Sequence, residues 1–316
     1  MNEGQGNHSR TRPRVMRYGR ALWTCRVAMT ATFVLLMSGP LRAYTPMSPE
    51  VKSMVQKAVK YLEGDFSGET ELVGGKCLLA MAIYKAGDKY GTPNPNHPAV
   101  QEAVAAVRQG LQGKAEWDTS GNYSLGIAIM FLCDLDDDLY RREIEALLQR
   151  MLAKQRPDGG WGYNGRDTGD TSQTQYSVLA LWAAHFHKID IPEESAAAVC
   201  NWLLRTQTPN GSWAYQGRDP GSFTRIDQPD RKTPSMLVAG IGSVYMAADV
   251  LGFVKRDEEE DDGKPKALVK VEESDSNARK PSNLVDRGML QRSLSDGDRR
   301  FASTYAIRTD HWQHYY

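Results

Sequence analysis

A thirteen-residue segment occurs twice in this chain, and the two copies lie 52 positions apart, measured from Trp161 to Trp213. Residues 155–167 read QRPDGGWGYNGRD, and residues 207–219 read QTPNGSWAYQGRD. A period of about 50 residues is typical of repeat architectures, in which each unit buries its apolar face on its neighbours. The duplication therefore favours an array of similar units over a chain with one independent core.

The spacing of apolar residues predicts helices that come in pairs. The first helix of a pair has one apolar stripe at helical spacing, and the second is apolar nearly all round, as expected for a helix covered on every side. The second helices are predicted at roughly 72–84, 123–132, 173–186 and 234–250. The stripes of three first helices are Val51, Met54, Val55, Ala58, Val59 and Leu62; Val100, Ala103, Val104, Val107 and Leu111; and Tyr140, Ile144, Leu147, Leu148, Met151 and Leu152. Outer amphipathic helices that alternate with inner apolar ones indicate an all-α fold, an α/α toroid of helical hairpins, with an open helical solenoid as the alternative.

The N-terminal segment has the pattern of an export signal. Arginines precede an apolar stretch over 27–37, which closes on Leu41-Arg42-Ala43. This stretch is shorter than the roughly 20 residues that a spanning helix needs. Residues 1–43 are therefore predicted to be a signal peptide cleaved near Ala43, with an uncleaved anchor as the alternative. We expect an exported protein with no stable membrane span after cleavage.

Charge and cysteine content narrow the class of protein further. The chain has 39 basic and 39 acidic residues, and the signal segment holds seven of the arginines but one acid, so the remainder is mildly acidic. No clustered basic face is present, which argues against nucleic acid as a partner. Cys77, Cys133 and Cys200 lie inside apolar stretches and are predicted to be buried thiols.

Composition divides the chain after the signal into three parts. Residues 44–254 carry the helical repeats. Residues 255–283 are acidic and polar with almost no aromatic side chains, which predicts a disordered insertion. Apolar spacing resumes weakly over 284–316, which we interpret as a partial fifth repeat, truncated before its inner helix.

The duplicated segment resembles the Gln-Trp repeat of squalene-hopene cyclases and the related prenyltransferase repeat. The matching positions are Gln155, Gly159 and Trp161, and again Gln207, Gly211 and Trp213. The resemblance implies a terpenoid cyclase/prenyltransferase-like toroid, incomplete at the C-terminus. It also implies a structural role: the glycine permits the turn that ends a helix, the Gln amide bonds exposed helix-terminal groups, and the indole fastens neighbouring helices.

The chemical groups of these families are not in place. The cyclases use an Asp-x-Asp-Asp acid at the start of an inner helix, whereas Asp134-Leu-Asp136-Asp137 follows an inner helix and Asp136 to Asp138 are interpreted as caps of the next helix. The prenyltransferases bind zinc through an Asp and a Cys two residues apart. Here Ser172 stands where the thiolate belongs after Asp170, so we expect no metal and no cofactor. The chain is identified as a single-toroid exported member without the cyclase acid in place.

In an α/α toroid the turns from outer to inner helices gather on one face, where inner helix N-termini make the mouth of a central cavity locally positive. The ligand-binding candidates in these turns are Tyr163, Arg166, Asp167, Asp170, Gln173, Tyr215, Arg218 and Asp219. The repeated Gly-Arg-Asp is interpreted as an ion pair within each turn, and Asp170 and Thr233 as N-caps. The 19-residue loop between Trp213 and Thr233 is long enough to form a wall or lid.

Three functions remain open. The leading hypothesis is a repeat protein that binds a small molecule, a glycan or a protein at this mouth without cyclase chemistry. The second is an isoprenoid-processing, terpenoid cyclase-like enzyme in which Asp170 is the catalytic acid. The third is a glycan-active α/α protein that uses Asp167, Asp219, Tyr163 and Tyr215.

Overall fold

The computed structural model describes residues 45, 47–64, 71–87, 91–118, 120–254 and 280–305. Within these ranges the chain forms nine helices and a single pair of two-residue strands, which confirms the all-α prediction. The helices are α1 Pro49–Leu62, α2 Val73–Ala86, α3 Pro98–Leu111, α4 Asn122–Asp136, α5 Arg141–Leu152, α6 Thr171–Phe186, α7 Glu193–Thr206, α8 Pro234–Val250 and α9 Arg287–Thr304. The predicted signal peptide and most of the predicted 255–283 insertion lie outside the described residues.

The chain divides into two compact units, Met1–Met54 and Val55–Tyr316. In the first unit the described part is the start of α1, where the Ser48 hydroxyl accepts a hydrogen bond from the Thr45 amide at 2.9 Å. None of the described residues of α1 is buried, so the stripe predicted for this helix does not form a core face.

In the second unit the remaining helices form two layers. The helices α2, α4, α6 and α8 pack side by side in chain order, while α3 packs on α2, α5 on α4, and both α7 and α9 on α8. Helices of the first layer are apolar nearly all round because they touch neighbours on several sides. The amphipathic helices bury one stripe each, as predicted: in α5 this stripe is Ile144, Leu147, Leu148 and Met151. The three cysteines are buried and free, also as predicted.

Glycines let the helices of the first layer approach closely. A Cβ on Gly74 of α2 would lie 2.5 Å from the Ser124 hydroxyl oxygen of α4. One on Gly126 of α4 would lie 2.7 Å from the Tyr176 carbonyl oxygen of α6. Gly242 of α8 differs, because the space around it is open.

Both tryptophans of the duplicated segment make the same contact. Trp161 and Trp213 have fully buried side chains. The Trp161 Nε1 donates to the carbonyl of Met151 at 2.8 Å, and the Trp213 Nε1 donates to the carbonyl of Leu203 at 3.0 Å. Each acceptor lies in the last turn of the preceding amphipathic helix and also accepts one backbone amide, that of Lys154 for Met151 and that of Gln207 for Leu203. Each indole is therefore tied to the end of the preceding amphipathic helix by a hydrogen bond as well as by packing.

The two glutamines also bind in the same way, and each reaches the next amphipathic helix. The Gln155 Nε2 donates to the carbonyls of Gly159 at 2.9 Å and Ser195 at 3.0 Å. The Gln207 Nε2 donates to those of Gly211 at 3.2 Å and Ser293 at 3.0 Å. Ser195 lies in α7 and Ser293 in α9, so the same contact joins α5 to α7 and α7 to α9.

Gly159 and Gly211 explain why the motif requires glycine. Their φ values are 100° and 84°, in the region that side chains rarely adopt. A Cβ at Gly159 would meet the Ala198 backbone, and one at Gly211 would meet the Asp296 backbone. Ala198 and Asp296 are again separated by the 98 positions that separate Ser195 from Ser293. By these contacts α9 occupies the place of a further amphipathic helix.

A third tryptophan, Trp202 of α7, supports the strand pair. The strands are β1 Gly169–Asp170 and β2 Gln216–Gly217, antiparallel, with Gly169 opposite Gly217. The fully buried Trp202 ring lies against Gly160, Gly169 and Gly217, where any Cβ would collide with it. The ring therefore holds the turns of the two motif copies together.

The interpretation of Asp136 to Asp138 as caps of the following helix is wrong. Asp134 and Asp136 lie in the last turn of α4, and Asp137 is its C-cap residue. The helix α5 begins after Tyr140, which makes no side-chain cap. The Asp136 carboxylate accepts the Leu139 amide at 2.9 Å and so closes the turn between the two helices.

Candidate functional site

A continuous series of hydrogen bonds joins the starts of α4 and α6 to the loop before α8. The Tyr163 and Tyr123 hydroxyls are 3.0 Å apart, and the Tyr123 hydroxyl is 2.8 Å from the Ser172 Oγ. Ser172 donates to the Asp170 Oδ1 at 2.5 Å, and the Gln216 Nε2 donates to the Asp170 Oδ2 at 2.6 Å. We call these five residues the polar chain. It is the place where the turns predicted to gather actually meet.

Asp170 is the buried centre of the polar chain and the N-cap of α6, as predicted. Only 1% of the residue is exposed, and its Oδ1 also accepts the Gln173 amide at 3.0 Å. Burial raises the pKa of this carboxyl above its ordinary value of 3.8, hydrogen bonds from Ser172 and Gln173 oppose that shift, and the charge of Asp230 adds to it. Both carboxyl oxygens are therefore engaged inside the protein.

A second carboxylate caps the neighbouring helix. The Asp118 Oδ1 accepts the Ser124 amide at 2.7 Å, and its Oδ2 accepts the Gly121 amide at 2.9 Å. The Ser120 hydroxyl lies 2.8 Å from Asp118 and 2.9 Å from the Gln173 Oε1, which links this cap to α6. The positive ends of α4 and α6 are thus each matched by an internal carboxylate. The starts of α4 and α6 therefore do not form the locally positive mouth that was expected from aligned helix starts.

Buried amide atoms at the same helix starts have no partner among the described residues. They are the Gln173 Nε2, the Asn122 Oδ1 and the Gln175 Oε1. Gln173 and Asn122 are almost completely buried. An unsatisfied buried polar group costs about 1–3 kcal/mol. This end of the helix layer therefore holds buried donors and acceptors that are not paired with each other.

The outward end of the polar chain is aromatic. Tyr163 is 38% exposed, and its ring meets Tyr123 edge to face, with centroids 6.4 Å apart. Tyr123 in turn packs edge to face on Tyr176 at 4.9 Å. Burial raises the pKa of the Tyr123 phenol, which stays protonated as a donor. Arg166 and Asp167 are exposed at the tip of the same turn.

The second copy of the motif is arranged differently. The Arg231 guanidinium lies over the Tyr215 ring, 5.5 Å from its centroid. Asp219 pairs with Arg205 of α7 at 2.8 Å, so the ion pair predicted within the Gly-Arg-Asp turn is wrong for this copy. In the first copy the position equivalent to Arg205 is Ala153, which cannot make this pair.

The long loop before α8 is held by its own contacts. Gln228 is buried, and it accepts the Arg218 amide at 2.8 Å and donates to the Arg218 carbonyl at 3.0 Å. Arg225 pairs with Asp296 of α9 at 2.5 Å. Thr233 caps α8 by accepting the Met236 amide at 3.2 Å, as predicted. The loop is therefore a fixed wall beside the polar chain, anchored to α9.

The structure brings together some of the predicted site residues and separates others. Tyr163, Asp170 and Gln173 share one network, whereas Tyr215 and Asp219 belong to the neighbouring turn. Sequence reasoning missed Tyr123, Ser172, Gln216 and Asp118 as members of the site. The available signal was weak: Tyr123 is the second residue of α4, two positions after the N-cap Gly121, and the motif comparison marks Ser172 only as the residue in place of a thiolate.

Two cavities lie away from the polar chain, and neither is lined by any of its five residues. One, of about 490 Å³, is lined by charged residues of α2, α3 and the turn after α3, including Lys76, Glu102 and Glu116. The other, of about 410 Å³, is lined within the second unit by residues from 55–63, 83–87 and 94–97, including Val59, Ile83 and His97. Within the described ranges, no three His, Cys, Asp or Glu side chains are grouped as a metal site would require.

No protein-family model matches this sequence, and no curated protein matches it. Among the described helices, none is both long and apolar enough to cross a membrane.

Proposed function

We propose that this chain is an exported repeat protein of the α/α-toroid kind, which binds a ligand or partner where its inner helices begin and has no cyclase chemistry. The observation that carries the proposal is the polar chain. It connects two helix starts and the loop before α8, and it ends outward in the half-exposed Tyr163. Ligand sites combine aromatic side chains with a few precisely placed polar groups, and the polar chain presents both.

The surroundings of Asp170 favour binding over acid catalysis. A catalytic acid must reach the atom that it protonates. Asp170 is 1% exposed and accepts hydrogen bonds from Ser172, Gln173 and Gln216. These contacts support a positioning role, in which Asp170 holds Ser172 and Tyr123 in place.

The proposal is tested by a thermal-shift screen of the native chain and Tyr163→Ala. The probes are neutral hexasaccharides, inorganic phosphate, farnesol and farnesyl diphosphate, and the reaction mixtures are also assayed for isoprenoid products. We expect at least one probe to raise the Tm of the native chain more than that of Y163A. Equal shifts in both proteins for every probe, or multiple turnovers of farnesyl diphosphate, would contradict the proposal.

The proposed export is tested separately. N-terminal sequencing of the protein made in a bacterial host with intact secretion should give a mature chain that begins at Tyr44. A protein that retains Met1 in the cytoplasmic fraction would refute export and leave the proposal for the binding site unchanged.

A further inference from the structure

We infer that the ligand is a neutral saccharide, stacked on the ring of Tyr163 and hydrogen-bonded by the groups around it. This inference rests on the proposed function and names the chemical class that the site is built to recognise. It is carried by three observations: the internal charge balance of the helix starts, the fixed orientation of Tyr163, and the contrast between the two copies of the motif.

Charge balance argues against an anionic ligand. A phosphate or carboxylate at a helix start binds unpaired backbone amides and the positive end of the helix. At α6 the Asp170 carboxylate already accepts the Gln173 amide, and at α4 the Asp118 carboxylate accepts the Gly121 and Ser124 amides. An anion approaching either start would meet a negative charge that already uses these donors. A neutral ligand with many hydroxyl groups meets no such repulsion.

The Tyr163 side chain is oriented by the protein. Its hydroxyl is hydrogen-bonded to Tyr123, whose own hydroxyl is fixed by Ser172, and the edge contact with Tyr123 sets the angle of the ring. A tyrosine presents an apolar body with a polar tip and loses little conformational entropy when it is already fixed. Such a ring matches the apolar C–H face of a pyranose.

The groups beside Tyr163 match the hydroxyls of a sugar. Arg166 and Asp167 are exposed three and four residues further along the turn. A guanidinium offers planar paired donors and a carboxylate paired acceptors, which suits neighbouring hydroxyl groups. Together the two side chains contribute no net charge, in agreement with a neutral ligand.

The second copy of the motif provides a matched control within the same chain. Tyr215 occupies the position of Tyr163, but the Arg231 guanidinium lies over its ring. Its neighbour Asp219 is engaged by Arg205. The structure therefore assigns stacking to Tyr163 and not to Tyr215.

The test is isothermal titration of the full chain with neutral hexasaccharides of glucose, xylose, mannose and N-acetylglucosamine, with inorganic phosphate and hexagalacturonate as anionic probes. The proteins are the native chain, Tyr163→Ala, Tyr163→Phe and Tyr215→Ala. We expect a neutral hexasaccharide to bind the native chain and Y215A alike, and Y163A at least about tenfold more weakly. Y163F keeps the ring and should lose less affinity than Y163A.

Three outcomes would overturn the inference. One is binding of an anionic probe alone with the same dependence on Tyr163, which would keep the proposed function and remove the saccharide. Another is saccharide binding that is equal in the native chain and Y163A. The third is that no neutral hexasaccharide binds the native chain, while farnesol raises the Tm of the native chain and not that of Y163A. Circular dichroism of each variant excludes misfolding as the cause of a loss.

Discussion

At the scale of single residues, the tryptophans fix the architecture through a donor group as well as through their size. Trp161 and Trp213 each donate to a carbonyl near the end of the preceding amphipathic helix, at 2.8 Å and 3.0 Å. Trp202 is equally buried, yet its Nε1 has no partner among the described residues. The chain thus contains two kinds of buried indole, which differ in one hydrogen bond.

This difference gives a prediction for stability. Trp161→Phe should lower the free energy of unfolding by about 0.5–1.5 kcal/mol more than Trp202→Phe, because it removes the buried indole hydrogen bond, while the Met151 carbonyl keeps its bond from the Lys154 amide. Both substitutions remove a similar ring volume, so the second is the control for the first. Urea unfolding at equilibrium measures the two values. Equal losses would show that the indole hydrogen bond adds nothing to stability beyond packing.

Asp170 gives a prediction for pH dependence. Its pKa is raised by burial, so the folded chain holds this proton more tightly than the unfolded chain does. Its contribution to stability is therefore fully present below the ordinary value of 3.8 and is lost as the pH rises through the raised pKa. Relative to Asp170→Asn, the free energy of unfolding of the native chain should fall as the pH rises from about 4. Denaturation curves across that range test this, and a relative rise would contradict it.

At the scale of helices, the most informative element is α9. Its Ser293 carbonyl receives Gln207 and its Asp296 backbone approaches Gly211, as Ser195 and Ala198 of α7 do for the first copy. Only Leu290, Ser293 and Gly297 of this helix are buried. By these contacts α9 covers the second copy of the motif as α7 covers the first.

Removal of α9 should therefore weaken the second motif. A chain that stops at residue 279 uncovers Gln207, which is fully buried when α9 is present, and removes the partner of Arg225. We expect its urea midpoint to fall clearly below that of a chain that stops at residue 305, which keeps α9. Tryptophan fluorescence follows both transitions. Identical midpoints would mean that the contacts of α9 do not stabilise the second motif.

At the scale of the whole molecule, the spacing of apolar residues was enough to predict the helices of the first layer, because buried residues at fixed spacing reflect local geometry. The helices α2, α4, α6 and α8 were placed within a few residues of their observed bounds. The contacts of Asp219, the caps at Asp118 and the polar chain could not be predicted. They depend on which side chains meet between neighbouring helices and turns, and the spacing of residues along one segment does not encode this.

The central claim is that the starts of the inner helices bind the ligand. Amide hydrogen exchange, measured with and without the probe that raises the native Tm most, tests this claim most directly. The account predicts new protection in residues 120–125, 163–175 and 216–231, which surround the polar chain, and no such protection in Y163A. Protection confined to the residues that line the cavity near Glu102, or the one near His97, would contradict it.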